Sequence, residues 1–121
     1  MGDRNNIFFR EDDKGNGVYL YSHWCGSELG EALANVLPKA KDRWADPSYA
    51  TRIIVQGILD HYVSPDQSTG WGLSATLGDG SGRIWVVDFP DQIVRLVSEG
   101  DERTPNNNLR SWYFANFDGG K

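Results

Sequence analysis

Residues 7–21 read IFFREDDKGNGVYLY, and this stretch decides the fold class. Two short runs of β-prone residues, 7–10 and 18–21, flank a spacer rich in aspartate, asparagine and glycine. Such residues tolerate positive φ and close tight turns, so the stretch predicts a β-hairpin. The chain therefore opens with antiparallel strands, unlike the strict alternation of strand and helix that builds a parallel sheet.

Two amphipathic helices are predicted after this hairpin. In the first, apolar residues recur at helical spacing, at Leu29, Ala32, Leu33, Val36 and Leu37. Ser27 is the predicted N-cap of this helix, and Pro38 should end or kink it because proline removes a backbone donor.

The second helix has the clearest start signal in the chain, Asp46 as N-cap followed by Pro47 at the first helical position. Its apolar face includes Gly57, whose cost in a helix we expect to be offset by close approach of a strand or of the other helix. The helix should end near Tyr62, before a polar loop that extends to Gly70.

Three further strands are predicted in the second half of the chain. Residues 71–77 and 83–89 flank a glycine-rich spacer and are predicted to form a hairpin. Because residues 83–89 carry bulky side chains on both faces, we expect them to form a central strand. Residues 93–97 form the third strand, and 98–108 a polar, mobile loop. For residues 109–117 both a strand and a helix fit the pattern, and a short helix is preferred.

These elements predict a single α+β domain over residues 1–121, in the order ββααβββ with a short C-terminal element. We expect a mainly antiparallel sheet of about five strands with two helices packed on one face.

Composition excludes several classes of function. Asp and Glu outnumber Lys and Arg by 17 to 12, a net charge of −5, which argues against binding to a nucleic-acid polymer or an anionic membrane. The sequence has no apolar run of about eighteen residues and starts with polar residues, so we expect a cytoplasmic protein. One cysteine and two histidines predict neither an internal disulfide nor a structural metal, and we expect no cofactor.

Two clusters of aromatic and polar residues are the candidate site. The first is the strand-to-helix junction with Tyr21, His23, Trp24 and Ser27, where free helix N–H groups suit an anionic ligand. The alternative is that Tyr21 and Trp24 are core or rim aromatics and that His23 is merely hydrogen-bonded.

The second cluster pairs Tyr49 with Arg52, three residues apart on one helix face. A guanidinium beside an aromatic ring can hold a phosphate and a base together. The alternative places Arg52 on a solvated face, and Arg43 in an ion pair with Asp42 or Asp46.

Cys25 with His23 suggests a nucleophile, because a thiol near a helix N-terminus has a lowered pKa. No third orienting group is evident in the sequence, and a lone cysteine also fits a small buried apolar side chain.

Four motifs resemble a family of small uncharacterised proteins encoded by bacteriophages and by bacteria, notably actinobacteria. They are the GDR-type start at residues 1–7, the YSHW and glycine motif within 20–26, the RW-DPxYxxRII motif at 43–54 and the TGWGLS motif at 69–74. The resemblance covers most of residues 1–75 and implies a phage or prophage setting. By analogy with small phage proteins that sequester nucleotide immune signals, it suggests a role against host defence.

The leading hypothesis is therefore a non-enzymatic protein that sequesters a small anionic, nucleotide-like ligand. Its pocket would be lined by Tyr21, His23, Trp24, Tyr49 and Arg52, with donors near Ser27.

Two alternatives remain open. One is a protein–protein inhibitor of a host factor that uses an acidic, aromatic surface with Trp71, Trp85 and Trp112. The other is a hydrolase that uses His23. The binding hypotheses also predict a homo-oligomer, since a sheet edge and surplus aromatic residues favour self-association.

Overall fold

The computed structural model describes residues 3–62, 70–80, 82–104 and 107–120. The elements in this part of the chain are β1 (Asn5–Arg10), β2 (Gly17–Ser22), α1 (Leu29–Val36), α2 (Pro47–Tyr62), β3 (Trp71–Ser74), β4 (Arg83–Asp88), β5 (Ile93–Ser98) and β6 (Asn108–Tyr113). Three 3₁₀ helices accompany them, at Gly26–Glu28, Leu37–Arg43 and Phe114–Asn116. Most of the predicted polar loop after α2, including Thr69 of the TGWGLS motif, lies outside the described residues.

The strands form one sheet in the order β3-β2-β1-β4-β5-β6. Neighbouring strands are antiparallel except β1 and β4, which run parallel with Ile7 beside Trp85. The α+β class is thus confirmed, but the sheet has six strands and is mixed.

The opening hairpin is confirmed, with Asn5 opposite Ser22 and Arg10 opposite Gly17. Asp12 organises its turn by accepting hydrogen bonds from the backbone N–H groups of Lys14 and Asn16 and from the Asn16 side chain. These bonds, led by that of the Asn16 side chain, lower the pKa of Asp12. Gly15 supplies the positive φ of the turn, +83°.

The predicted hairpin between β3 and β4 is wrong. β3 pairs with β2 at the edge of the sheet, whereas β4 lies between β1 and β5. The physical reason is burial: β4 has apolar side chains on both faces, and a central position buries both. The expected central position of β4 is therefore confirmed.

Both helices pack on one face of the sheet, as predicted. The core there joins sheet residues such as Ile7, Phe9 and Val87 to helix residues such as Leu33 and Ile54. α2 begins at Pro47 and ends at Tyr62, in agreement with its start and stop signals.

Gly57 of α2 faces α1, which confirms the close approach expected of it. A Cβ atom at this position would lie 2.9 Å from Cγ1 of Val36, so a larger residue would press the two helices apart. α1 itself ends at Val36, and Pro38 occupies the first turn of the following 3₁₀ helix.

Ser27 is not the N-cap of α1. It lies within the 3₁₀ helix, and α1 begins two residues later at Leu29. The backbone N–H and the hydroxyl of Ser27 both bond to the carboxylate of Asp3. The 3₁₀ turn places the start of α1 two residues after Ser27. The Asp3 carboxylate accepts the hydrogen bonds that Ser27 donates in this turn.

The opposite face of the sheet holds a second, smaller core and a buried ionic network. Phe8, Tyr19 and Val86 belong to that core. Beside it, Asp88 accepts bonds from Nη1 of Arg10 at 3.0 and 3.1 Å and from Nε of Arg95 at 3.2 Å. All three side chains are at most 3% exposed, and burial lowers the pKa of Arg95.

The loop after β5 covers this face. Glu102 within it is buried, accepts a 2.8 Å bond from the Tyr19 hydroxyl and offers its backbone carbonyl to Arg95. Burial, together with the bond to Glu102, raises the pKa of Tyr19 to about 12. The polar composition of this loop predicted a mobile segment, but Glu102 within it is buried and holds the loop against the sheet.

The C-terminal segment is a strand followed by a 3₁₀ turn, so the preferred short helix is wrong. β6 completes the sheet beside β5, with Trp112 opposite Val94. Pairing with β5 satisfies the backbone N–H and C=O groups that would be bonded to one another in a short helix.

The three tryptophans expected on the surface, Trp71, Trp85 and Trp112, are instead partly buried against the helix-side core. Trp112 lies 5.7 Å from Trp85 and 5.2 Å from Phe117, measured between ring centroids. No helix in the described part of the chain is long and apolar enough to span a bilayer.

Candidate ligand-binding groove

The structure brings together three of the predicted site residues at the end of β2. The Tyr21 hydroxyl lies 2.9 Å from Nδ1 of His23, and the His23 and Trp24 rings meet edge to face at 5.0 Å. The backbone N–H of His23 donates to the carbonyl of Gly70, which ties this junction to the start of β3. Trp24 remains 55% exposed.

The helix-start donors expected to bind an anion at this junction are already engaged. The N–H of Ser27 donates to the Asp3 carboxylate at 2.8 Å, so an acidic side chain of the protein itself takes the place predicted for a ligand. The Cys25 N–H likewise donates to the Ser22 hydroxyl.

The surroundings of Cys25 do not favour the suggested nucleophile. Burial raises the pKa of its thiol, and the neighbouring Glu28 carboxylate raises it further. Because the thiolate is the nucleophilic form, these surroundings disfavour the chemistry that a low pKa would promote.

Tyr49 and Arg52 do not form the predicted pair. The Arg43 guanidinium stacks on Tyr49 at 5.2 Å. It also lies 4.0 Å from Asp46, one of the two ion-pair partners expected for Arg43. Arg52 is exposed on α2, where its Nη1 donates to Oε1 of Gln56 at 2.6 Å.

Tyr21 and Arg52 lie on opposite sides of the sheet. Tyr21 shares the loop-covered face with Tyr19, since residues two apart on a strand point the same way. Arg52 belongs to α2, which packs on the other face. One pocket therefore cannot be lined by Tyr21 and Arg52 together.

Arg52 instead borders an open groove between α2 and strands β2 and β3. The groove has a volume of about 420 Å³, within the range of ordinary small-molecule sites. Its floor is aliphatic, made by Val18, Val55, Leu59 and Leu73. Leu73 is 60% exposed and Val18 38%, so the floor is open to a ligand.

The polar rim of this groove is a helical stripe, Arg52, Gln56 and Asp60, each one turn from the next. Ser48 and Thr51 add hydroxyl groups near the start of α2. Among the described residues, Arg52 has no carboxylate oxygen within 4.0 Å of its guanidinium nitrogens. The groove thus combines an apolar floor with a cation that can take an external anion.

Of the residues that the sequence predicted for the ligand site, Arg52 lines this groove. The sequence did not predict a ligand-binding role for the other residues that line it. The spacing of Arg52, Gln56 and Asp60 is visible in the sequence. The position of β3 beside β2, which brings Leu73 to the floor, depends on a crossover that no local pattern shows.

This architecture defines an α+β protein with a helix-flanked groove at the edge of a mixed sheet. No protein-family model, curated protein or solved structure matches the chain. The resemblance to the phage and actinobacterial family stays a prediction.

Proposed function

We propose that the chain is a non-enzymatic protein that binds a small anionic ligand in the α2 groove, with Arg52 as the anion contact. The observation that carries this proposal is the exposed guanidinium at the rim of an aliphatic groove, with an uncharged amide, Gln56, as its hydrogen-bond partner. An arginine in such a place can form a charge-assisted bond with an incoming phosphate or carboxylate.

Binding without turnover is supported by the chemistry of the groove. The described residues that line it offer hydroxyl, amide, guanidinium and carboxylate groups, and neither a histidine nor a cysteine. A nucleotide-like ligand would place its phosphate at Arg52 and its base on valine and leucine side chains. The ligand panel therefore includes mononucleotides and cyclic nucleotides alongside medium-chain carboxylates.

Replacing Arg52 tests the proposal. We expect Arg52→Gln to weaken binding of the best ligand by about tenfold or more, the usual effect of losing a hydrogen bond to a charged group. The matched control is Arg83→Gln, which removes an exposed arginine from β4, outside the groove. Affinities are measured by isothermal titration after a thermal-shift screen, because a ligand of the folded state raises its melting temperature.

A second pair of variants tests the floor. Leu73→Ser should weaken the same ligand, whereas Leu109→Ser, at a comparably exposed leucine in β6, should leave its affinity unchanged. Equal affinity in the Arg52 and Arg83 variants, or the absence of any ligand across the panel, would contradict the proposal.

A protein–protein inhibitor is the second candidate function. It is favoured by two exposed aromatic residues, Trp24 at 55% and Tyr113 at 67%, since such residues anchor interfaces. Failure of a host-lysate pull-down to recover a stoichiometric partner would count against it.

A further inference from the structure

The groove carries opposite charges at its two ends. Arg52 and Asp60 both line it and are eight residues apart on α2. Two helical turns separate their backbones by about 12 Å, so the two side chains are placed to engage different ends of one ligand.

Among the described residues, the strand beside the groove has a neighbouring strand on one side only. β3 is the terminal strand of the sheet, with β2 as its neighbour on the other side. An extended peptide can add to such an edge through main-chain hydrogen bonds, while its alternate side chains enter an adjacent groove. The exposed side chain of Leu73 provides an apolar surface against which those side chains would pack.

The direction of α2 sets the polarity of the groove. Ser48 and Val18, which come early in α2 and β2, line the same groove. At the other end of α2, the pKa of Tyr62 is raised, chiefly by burial and in part by the nearby charge of Cys25. Cys25 follows β2 in the chain, so the C-terminal end of α2 lies near the end of β2. α2 therefore runs in the direction of β2 and opposite to β3.

The helix dipole acts in the same sense as the two charged side chains. The N-terminal end of a helix favours negative charge and the C-terminal end positive charge. Arg52, with Ser48 and Thr51, stands toward the N-terminal end of α2, and Asp60 toward its C-terminal end. An anion is thus favoured near Arg52 and a cation near Asp60.

We propose that the anion bound by this groove is the α-carboxylate of a short extended peptide that adds to the edge of β3. This inference rests on the proposed function and names its ligand class. At about 3.3 Å per residue, a chain of about four residues spans the 12 Å between the two charges. The peptide runs parallel to β3, with its carboxylate at Arg52, its α-ammonium at Asp60 and apolar side chains beside Leu73.

Three forms of one peptide test this proposal. Ala-Val-Ala-Val is prepared with free termini, with an acetylated N-terminus and with an amidated C-terminus, and each is titrated by isothermal calorimetry. We expect amidation to weaken binding about tenfold or more. Acetylation should weaken it about two- to fivefold, as for an exposed ion pair.

Variants then assign each terminus. Asp60→Asn should remove the difference between free and acetylated peptide, and Arg52→Gln the difference between free and amidated peptide. The control Asp13→Asn, which changes an exposed carboxylate in the β1–β2 turn, should preserve both differences. Strand addition is read separately, as slowed amide hydrogen exchange at Leu73 on saturation with the free peptide. The Leu73 N–H faces away from β2, because the register that bonds the His23 N–H to Gly70 turns the Gly72 N–H toward β2.

The outcomes separate this proposal from the one on which it rests. Small anions that bind through Arg52 while no form of the peptide binds would overturn the peptide assignment and leave the proposed function standing. Free and acetylated peptides of equal affinity would overturn the role of Asp60, and unchanged exchange in β3 would overturn strand addition. If neither peptides nor other anions bind, both proposals fail.

Discussion

At the residue scale, Asp88 holds the buried ionic network together. Its carboxylate satisfies two buried arginines, Arg10 and Arg95, which approach from the strands on either side of β4. Both guanidinium groups also reach backbone carbonyls of the covering loop, those of Arg103 and Glu102. A single carboxylate therefore offsets the burial of two cations and links three strands to one loop.

Replacing Asp88 by its neutral isostere tests this arrangement. Asp88→Asn should lower the free energy of unfolding by about 3–5 kcal/mol, because it leaves buried arginine charge without compensation. Asp79→Asn is the control, since Asp79 is 77% exposed in its ion pair with Arg4 and should change stability by less than about 1 kcal/mol. Urea denaturation measures both, and similar losses in the two variants would contradict the prediction.

At the scale of elements, Arg103, in the loop after β5, connects that loop to two others over the second face of the sheet. Its guanidinium donates to the carbonyl of Gly15 in the hairpin turn and to that of Ala75 after β3, both at 2.9 Å. The same group stacks over the Phe8 and Tyr19 rings at 5.0 and 5.4 Å. A planar guanidinium can make these contacts at once, and an ammonium cannot.

We therefore expect Arg103→Lys to loosen the loops while the sheet stays folded. Hydrogen exchange should accelerate about tenfold at backbone amides in residues 11–16 and 75–80, because loss of the hydrogen bonds and the stacking costs about 1–2 kcal/mol locally. The amides of β4 should keep their protection. Arg83→Lys, at an exposed position, serves as control. Equal exchange rates for these loop amides in the two variants would show that Arg103 does not hold the loops in place.

At the scale of the whole molecule, the described strands form one sheet with a terminal strand on each side. β3 borders the proposed ligand groove, and β6 forms the other edge. Beside β6 is a second concavity of about 340 Å³, lined by Ile93, Trp112 and Tyr113 among others. Tyr113 is 67% exposed there, so the β6 edge is the surface on which we expect self-association.

We expect light scattering to give a mass that is a multiple of the 13.6 kDa chain. A lysine at an edge strand opposes strand pairing, so Tyr113→Lys should reduce the mass to that of one chain. Tyr49→Lys changes a comparably exposed tyrosine on α2 and should leave the oligomer intact. A wild-type protein that runs as a single 13.6 kDa species would refute the oligomer.

The local elements were largely predictable because their signals lie close together in the chain. The first hairpin follows from residues 7–21, the start of α2 from Asp46 and Pro47, and the central place of β4 from bulk on both of its faces. Each depends on backbone preferences or side-chain burial that act over a few residues.

The candidate site was predicted only in part. The sequence singled out Arg52, and it also placed Tyr21, His23 and Trp24 near one another because they are neighbours along the chain. It could not show that Tyr21 and Arg52 lie on opposite sides of the sheet, nor that Asp3 would take the N–H of Ser27. These depend on contacts between distant segments.

The sequence by itself determined the α+β class, the opening hairpin and the two helices on one face, since hydrophobic periodicity and turn residues act locally. Only the tertiary structure decided that β1 pairs with β4 and β2 with β3, which creates the groove at Arg52 and buries Asp88 between two arginines. The reason is that strand order minimises exposed apolar surface over the whole chain, and a balance of that kind is not written in any one segment.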